Sequence, residues 1–234
     1  MPLEHATCLF PRPRNYLPIG DYGVVGNLQT VALVGKNGSI DWCCIPRFDS
    51  PSVFGALLDA DKGGFFRIAP RETPDMSYKQ LYLPDTNILI TRFLSLEGVG
   101  EIVDFMPINP AHPQDHQHYI MRLVRVVRGS MSFGMTCRPA FNYARDLHDV
   151  YLSAHGAIFR SPALVLALSC RIPLEEDHHG GVCGEFELHA EEERFFRLES
   201  TRDHTLHPEP HTREYYENEF LATKRYWQGW VARC

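Results

Sequence analysis

From residue 16 onward the chain is a succession of short apolar stretches separated by polar residues and turn formers, a pattern typical of β-strands. The strongest local signal is Asn37-Gly38, which lies between the apolar stretches 29–35 and 39–45 and predicts a tight β-hairpin. Several of the further strand candidates are rich in β-branched and aromatic residues and are bounded by Gly, Pro or Asn. These candidates are residues 64–69, 77–83, 88–96, 100–106, 118–128, 132–138, 150–154, 158–160, 163–169, 186–190 and 194–199.

Many evenly spaced strands with few helices between them predict an all-β fold, an antiparallel β-sandwich. The candidate strand 118–128 is the exception to simple patterning, because it carries arginines at every third position, Arg122, Arg125 and Arg128. Successive residues of a strand face opposite sides of the sheet. A spacing of three therefore does not indicate which face of this strand is buried.

The pattern changes near the end of the sequence. Residues 207–210 (HPEP) form a break, and residues 212–232 then predict a helix that Thr212 can cap. Aromatic residues recur along this helix at spacings near three and four and can line one side of it: Tyr216, Phe220, Tyr226, Trp227 and Trp230. We therefore predict a lead segment over 1–15, a β-sandwich domain over 16–206 and a linker helix over 207–234.

Composition excludes several classes of function. The chain has 234 residues and a formal net charge of -6, so it has no general attraction for nucleic acid or for anionic membranes. It shows neither a signal peptide nor a membrane span, which predicts a cytoplasmic location. Its seven cysteines include no C-x-x-C pair, so we predict no zinc site and treat them as small buried hydrophobic residues in a reducing compartment.

Four motifs carry a resemblance to a known family. They are IGDYGVVGN at 19–27, NGSIDW at 37–42, PRFDSPSVF at 46–54 and KRYWQGW at 224–230. Together they resemble the amino-terminal part of family 15 glycoside hydrolases, the bacterial glucoamylases, glucodextranases and trehalases. The resemblance implies a galactose-mutarotase-like supersandwich followed by an (α/α)6 catalytic domain.

In that family the helical domain holds two glutamates, one protonating the glycosidic oxygen and the other activating water, with inversion at the anomeric carbon. Such a pair needs its carboxyl groups roughly 6.5–9.5 Å apart. The resemblance places both glutamates outside these 234 residues, so we expect no catalytic residue, metal or cofactor here. It implies a non-catalytic amino-terminal domain whose partner is the helical domain of the same polypeptide, with a glucan or trehalose bound by the whole protein.

Five residues are candidates for the rim of a sugar pocket: Asp41, Trp42, Arg47, Phe48 and Asp49. Carboxylate and guanidinium groups hydrogen-bond to sugar hydroxyls, and an aromatic ring can cover the apolar face of a sugar. The alternative interpretation is an arginine–carboxylate pair that fixes a loop, or a patch that docks the helical domain. Trp42 by itself is typical of a core residue, because it follows a hairpin on a strand.

Histidines at 112, 116 and 118 are interpreted as part of an exposed polar loop and not as metal ligands. Two further functions remain open. One is a stand-alone glucan-binding module. The other is a mutarotase- or epimerase-like enzyme on the same sandwich, which would need a converging His and Glu that the spacing does not reveal.

Overall fold

The computed structural model describes residues 16–108, 118–201, 207–209 and 211–233. These ranges contain fifteen strands and one long helix, α1 (Arg213–Val231). The strands are β1 (Tyr22–Gly26), β2 (Val31–Gly35), β3 (Ser39–Cys44), β4 (Ser52–Phe54), β5 (Phe65–Pro70), β6 (Ser77–Tyr82), β7 (Leu89–Leu94), β8 (Gly98–Phe105), β9 (His118–Arg138), β10 (Asp149–Ser153), β11 (Gly156–Arg160), β12 (Val165–Cys170), β13 (Glu175–Glu176), β14 (Val182–His189) and β15 (Glu193–Thr201).

One strand belongs to both layers of the fold. The candidates 118–128 and 132–138 are a single 21-residue strand, β9. Its first part pairs with β8 and β15, and its second part pairs with β5 and β14. The strand passes from one sheet to the other at Gly129, whose φ is +73°. A Cβ added there would lie 1.9 Å from the Glu97 carbonyl oxygen. Only glycine fits such a position without strain, so this residue lets one strand serve two sheets.

The first sheet runs β1-β2-β3-β5 and continues through the second part of β9 to β14 and β13, with β4 on β3. The second runs β6-β7-β8, then through the first part of β9 to β15-β12-β11-β10. All strand pairings among the described residues are antiparallel. Both sheets contribute to one core, in which the largest buried apolar side chains are Phe54, Phe66, Phe93, Phe133, Phe141, Phe159 and Phe196. The predicted antiparallel β-sandwich with a carboxy-terminal helix is confirmed.

The predicted hairpin is also confirmed. β2 and β3 pair antiparallel, and Gly38 adopts a φ of +77° in the turn. A Cβ there would lie 2.0 Å from the Ile68 carbonyl oxygen on β5. The glycine is therefore required both by the turn and by the close approach of the neighbouring strand.

An ion pair lies at the centre of the sandwich, where the sequence pattern left the buried face undecided. Arg122 and Asp104 are both fully buried, and Nε of Arg122 donates to Oδ1 of Asp104 at 2.7 Å. Both residues belong to the second sheet. The guanidinium also donates to the carbonyl oxygens of Phe66 and Gly38 in or beside the first sheet, at 2.6 and 2.7 Å. Arg122 thus satisfies its donors by joining the two layers, as a buried charge requires.

Two features differ from the sequence expectations, three unpredicted strands and the state of one cysteine, whereas the predicted cap of the helix is confirmed. The strands β1, β4 and β13 were not predicted as strands, because each is short or lies within a glycine-rich or proline-flanked stretch. The helix begins at Arg213, and Thr212 caps it by accepting a hydrogen bond from the Tyr215 amide at 3.2 Å. Four cysteines, Cys43, Cys44, Cys137 and Cys170, are free and buried as expected, but Cys183 is disulfide-bonded, so the interpretation of all seven as buried residues in a reducing compartment is wrong for Cys183. The lead segment 1–15 lies outside the described residues.

Candidate functional site: the helix-covered face and the predicted sugar rim

The outer face of the second sheet carries an apolar row that crosses four strands. Strand register aligns Ile90 of β7 with Val103 of β8, Val103 with Leu123 of β9, and Leu123 with Phe195 of β15. These side chains alternate along each strand with residues of the sandwich core, so they face away from it. An apolar outer face of this kind needs a covering element.

Two positions along each strand, the same face carries a row of alternating charge. Register aligns Arg92 with Glu101, Glu101 with Arg125, and Arg125 with Glu193. Glu101 is 1% exposed and accepts from Nε of Arg92 at 2.7 Å and from Nη2 of Arg125 at 2.6 Å. Burial opposes ionisation of this carboxyl, but the two guanidinium groups outweigh burial, and its pKa is lowered. The charge row is therefore a set of ion pairs and not an open anion or cation site.

Helix α1 covers part of this face with its first half. The Tyr216 ring stacks on Phe195 at 4.3 Å between centroids, and Phe220 meets Phe105 edge-on at 5.8 Å. Arg213 extends the charge row onto the helix, with its Nε 3.0 Å from Oε1 of Glu193. Farther along, the hydroxyl of Thr223 accepts from the amide of Ile108 at 3.2 Å.

The start of the helix is held by an arginine among tyrosines. The guanidinium of Arg197 lies 4.6 Å from the centre of the Tyr119 ring and 5.7 Å from that of Tyr215. It also pairs with Glu199 at 2.7 Å. Burial raises the pKa of Glu199, although Arg197 opposes the shift. The Tyr119 hydroxyl donates to Glu219 at 3.1 Å, which ties β9 to the helix.

A cleft remains beside the helix, above the uncovered part of the apolar row. Its volume is about 360 Å³. Ile90, Val103 and Leu123 line its floor, and Leu221 of the helix, 41% exposed, lines its side. Arg125, Glu193 and Arg213 also line it, but each takes part in the ion pairs described above, so the cleft offers an apolar surface with neutralised charges.

Three aromatic side chains cluster in the second half of the helix. Tyr226, Trp227 and Trp230 contact one another edge-to-face, with centroids 5.6 and 6.0 Å apart. Trp230 is 46% exposed, and Nε1 of Trp227 has no hydrogen-bond partner among the described residues although it is shielded from solvent. Aromatic side chains that are only partly covered are typical of surfaces that meet another protein element.

The structure separates the five residues predicted for a sugar rim. Asp41 is fully buried, where its carboxylate accepts from the hydroxyls of Tyr22 at 2.7 Å and Ser39 at 2.6 Å. Its carboxylate therefore faces protein groups and not solvent. Trp42 is partly exposed and lies opposite Leu33, on the outer side of the first sheet, while its neighbour Cys43 belongs to the core. The expectation that Trp42 is a core residue is wrong.

Arg47, Phe48 and Asp49 lie together on the exposed loop between β3 and β4. Nε of Arg47 is 3.4 Å from Oδ1 of Asp49, and the two side chains are 74% and 82% exposed. The ring of Phe48 is 58% exposed, while its amide donates to the carbonyl of Gln29 at 3.0 Å. The loop is shaped by backbone hydrogen bonds and leaves all three side chains accessible.

Sequence reasoning missed the partner of Trp42. The Tyr143 ring lies 6.4 Å from that of Trp42 and is 41% exposed. Asn142, Tyr143 and Ala144 form a left-handed turn, with φ values of 52°, 59° and 62°. A left-handed conformation costs residues such as Tyr143 and Ala144 roughly 1–2 kcal/mol each, while asparagine tolerates it better. No sequence pattern announces three such residues in succession.

Buried carboxylates in the described part of the chain are all engaged. Besides Asp41, Glu101, Asp104 and Glu199, Asp177 accepts from Nε of Arg138 at 2.7 Å and from the amide of Gly181 at 2.8 Å. Over the described ranges no three His, Cys, Asp or Glu side chains cluster as metal ligands. Residues 109–117 lie outside those ranges, and His118 begins β9 as a buried residue. No described helix is both long and apolar enough to cross a membrane.

Comparison with known proteins defines the class. The trehalase-like N-terminal family matches residues 12–160, and the chain belongs to this family. The trehalase of Mycolicibacterium smegmatis is 31% identical over 94% of this chain, and that of Mycobacterium tuberculosis is 30% identical over 94%. The trehalase of Thermoplasma volcanium is 34% identical over 69% of the chain. The chain spans 36%, 35% and 26% of the lengths of these three relatives.

One solved structure, a putative kojibiose phosphorylase from human microbiome, aligns over 89% of this chain and 29% of its own. Its TM-score is 0.38 at 10% sequence identity. A likeness of this size is too low to support a conclusion about fold or function.

Proposed function

We propose that this chain is the non-catalytic amino-terminal domain of a trehalase-type inverting exo-glycoside hydrolase of family 15, and that it supports a helical catalytic domain of the same polypeptide. The observation that carries the proposal is that the aromatic residues of helix α1 are buried unequally along its length. Its first half is fixed to the sandwich by Tyr216 and Phe220, while Trp230 in its second half, edge-on to Trp227, is 46% exposed. A neighbouring domain would bury these rings.

Most of the buried carboxylates are paired with arginines, which favours a supporting role for this domain over a catalytic one. An inverting hydrolase needs one protonated carboxyl and one free carboxylate facing a common sugar site. Glu101, Asp104 and Glu199 instead hold arginine partners within the sandwich or on its outer face. A mutarotase-like function meets the same objection, because it too requires an available acid and base.

Of the five residues proposed for a sugar rim, Arg47, Phe48 and Asp49 on the exposed loop are the ones that a ligand or another domain could reach most easily. These side chains are free to contact either the sugar or the catalytic domain, whereas Asp41 is expected to act through the buried hydrogen bonds that shape β3. The substrate of the whole protein is proposed to be trehalose or an α-glucan.

The test is reconstitution. The remainder of the reading frame would be expressed alone and together with this chain, and glucose release from trehalose and maltose would be measured. We expect no hydrolysis by this chain alone and restored hydrolysis by the pair. Trp227→Ala should weaken the association, while Leu152→Ala, an exposed residue on the distant edge strand β10, should not. Glucose release by this chain alone that is lost on substitution of one of its own carboxylates would overturn the proposal.

A further inference from the structure

An aromatic surface lies on the outer side of the first sheet. Trp42 and Tyr143 are both partly exposed, and their ring planes are inclined by 43°. The guanidinium carbon of Arg145 lies 5.7 Å from the centre of the Tyr143 ring. We call these three residues the Trp42–Tyr143 surface.

The left-handed turn of residues 142–144 places this surface. The turn is an unfavourable conformation for Tyr143 and Ala144, whereas Asn142 is a residue type that tolerates it. Such conformations persist only where the surrounding structure over-determines them, and they are concentrated at functional sites.

Several contacts fix the turn at both ends. Before it, the amide of Ala140 donates to the carbonyl of Val53 at 2.8 Å. Phe141 is buried, with its ring 5.0 Å from that of His148. After it, Nδ2 of Asn142 donates to Oδ1 of Asp146 at 3.0 Å. The result of this costly arrangement is that the Tyr143 ring stands beside Trp42 and remains exposed, although neither ring belongs to the sandwich core.

We propose that the Trp42–Tyr143 surface binds a glucopyranose ring of an α-glucoside, trehalose or a glucan. The choice of ligand rests on the proposed function. The equatorial hydroxyls of glucose leave C–H groups on both faces of the ring, and these faces pack on aromatic rings. Within the described part of the chain no ion pair occupies Arg145, so its donors remain available for sugar hydroxyls at the edge of the aromatic contact.

Titration of the 234-residue chain with trehalose and with maltotriose, followed by NMR chemical shifts and tryptophan fluorescence, tests the proposal. Tyr143→Ala is compared with the matched control Tyr151→Ala. Tyr151 is 46% exposed and has Arg160 5.3 Å from its ring, but it lies on the regular strand β10. We expect a millimolar Kd that rises about fivefold or more in Tyr143→Ala and is unchanged in Tyr151→Ala.

Two outcomes would overturn the inference: no response at about 0.1 M sugar, or equal losses in the two tyrosine variants. Arg145→Ala keeps the test informative if Tyr143→Ala fails to fold, and it too should weaken binding. Ala144→Gly relieves one strained position and retains both rings, so it should raise the unfolding midpoint and leave the Kd within about twofold.

Reconstitution separates this inference from the proposed function. A chain that restores hydrolysis but binds no sugar would refute only the Trp42–Tyr143 surface. A chain that binds sugar through Tyr143 but does not restore hydrolysis would refute the scaffold role and leave the sugar site standing.

Discussion

The interior of the sandwich and its outer face both contain arginine–carboxylate pairs, but the pairs differ in what surrounds them. Arg122 and Asp104 are both fully buried between the sheets, where water cannot replace either partner. On the outer face Glu101 is buried while Arg92 and Arg125 are 41% and 44% exposed. The loop pair of Arg47 and Asp49 is almost fully exposed. We therefore expect the cost of breaking a pair to follow the burial of its partners and not the number of pairs.

Arg122→Met should have the largest effect. It leaves Asp104 as a buried charge without a cation and removes the donors to Phe66 and Gly38, so the free energy of unfolding should fall by about 3–5 kcal/mol. Urea denaturation measures the change. The double variant Arg122→Met/Asp104→Leu removes both charges and should recover part of the loss. A double variant no more stable than the single one would contradict the electrostatic explanation.

Glu101→Gln should have an intermediate effect. The amide keeps the size of the side chain but leaves two guanidinium groups without their carboxylate. The free energy of unfolding should therefore fall by about 1–3 kcal/mol. The control is Glu185→Gln on β14, where the glutamate is exposed. Equal changes in the two variants would show that the charge row contributes nothing specific.

The same carboxylate predicts a pH dependence. The pKa of Glu101 is lower in the folded chain than in the unfolded chain, because Arg125 and Arg92 outweigh the burial that opposes ionisation. Its stabilisation is therefore present above the unfolded pKa and is lost as the pH falls through the folded pKa. Unfolding midpoints measured from pH 7 downward should decline less steeply in Glu101→Gln than in the parent chain. Identical acid profiles would contradict this assignment.

Arg213→Ala should have a smaller effect than Glu101→Gln. Arg213 is 67% exposed, and it links Glu193 on β15 with Glu217 on the helix. Solvent and salt screen such pairs. Adding salt should narrow the difference in the free energy of unfolding between the parent chain and Arg213→Ala. A difference in this free energy that does not depend on salt would indicate lost packing instead.

Arg47→Ala should change stability least, within about 0.5 kcal/mol, because its partner Asp49 is 82% exposed. If the loop contacts the catalytic domain or its sugar, the same substitution should reduce activity in the reconstituted enzyme. If Arg47→Ala lowers stability more than Arg213→Ala does, the interpretation that backbone hydrogen bonds shape this loop is wrong.

Local chemistry was sufficient for part of this protein. Asn37-Gly38 predicted the hairpin because only a few residues tolerate that turn, and Thr212 predicted the start of the helix because a hydroxyl there satisfies a free amide. The motif at residues 46–54 identified the family resemblance and located an exposed loop. The sequence did not separate Asp41, which is buried, from Arg47 and Asp49, which are exposed, although they lie within nine residues of one another.

What the amino-acid sequence determined by itself was most of the strands, the hairpin and the capped helix, because each depends on residues within a few positions of one another. Only the tertiary structure decided that Arg122 faces the core while Arg125 faces the helix. Strand alternation places the two side chains on opposite faces of the sheet but does not indicate which face is buried. The tertiary structure likewise decided that Tyr143 stands beside Trp42. Such contacts arise from register across strands and from turns held by distant partners.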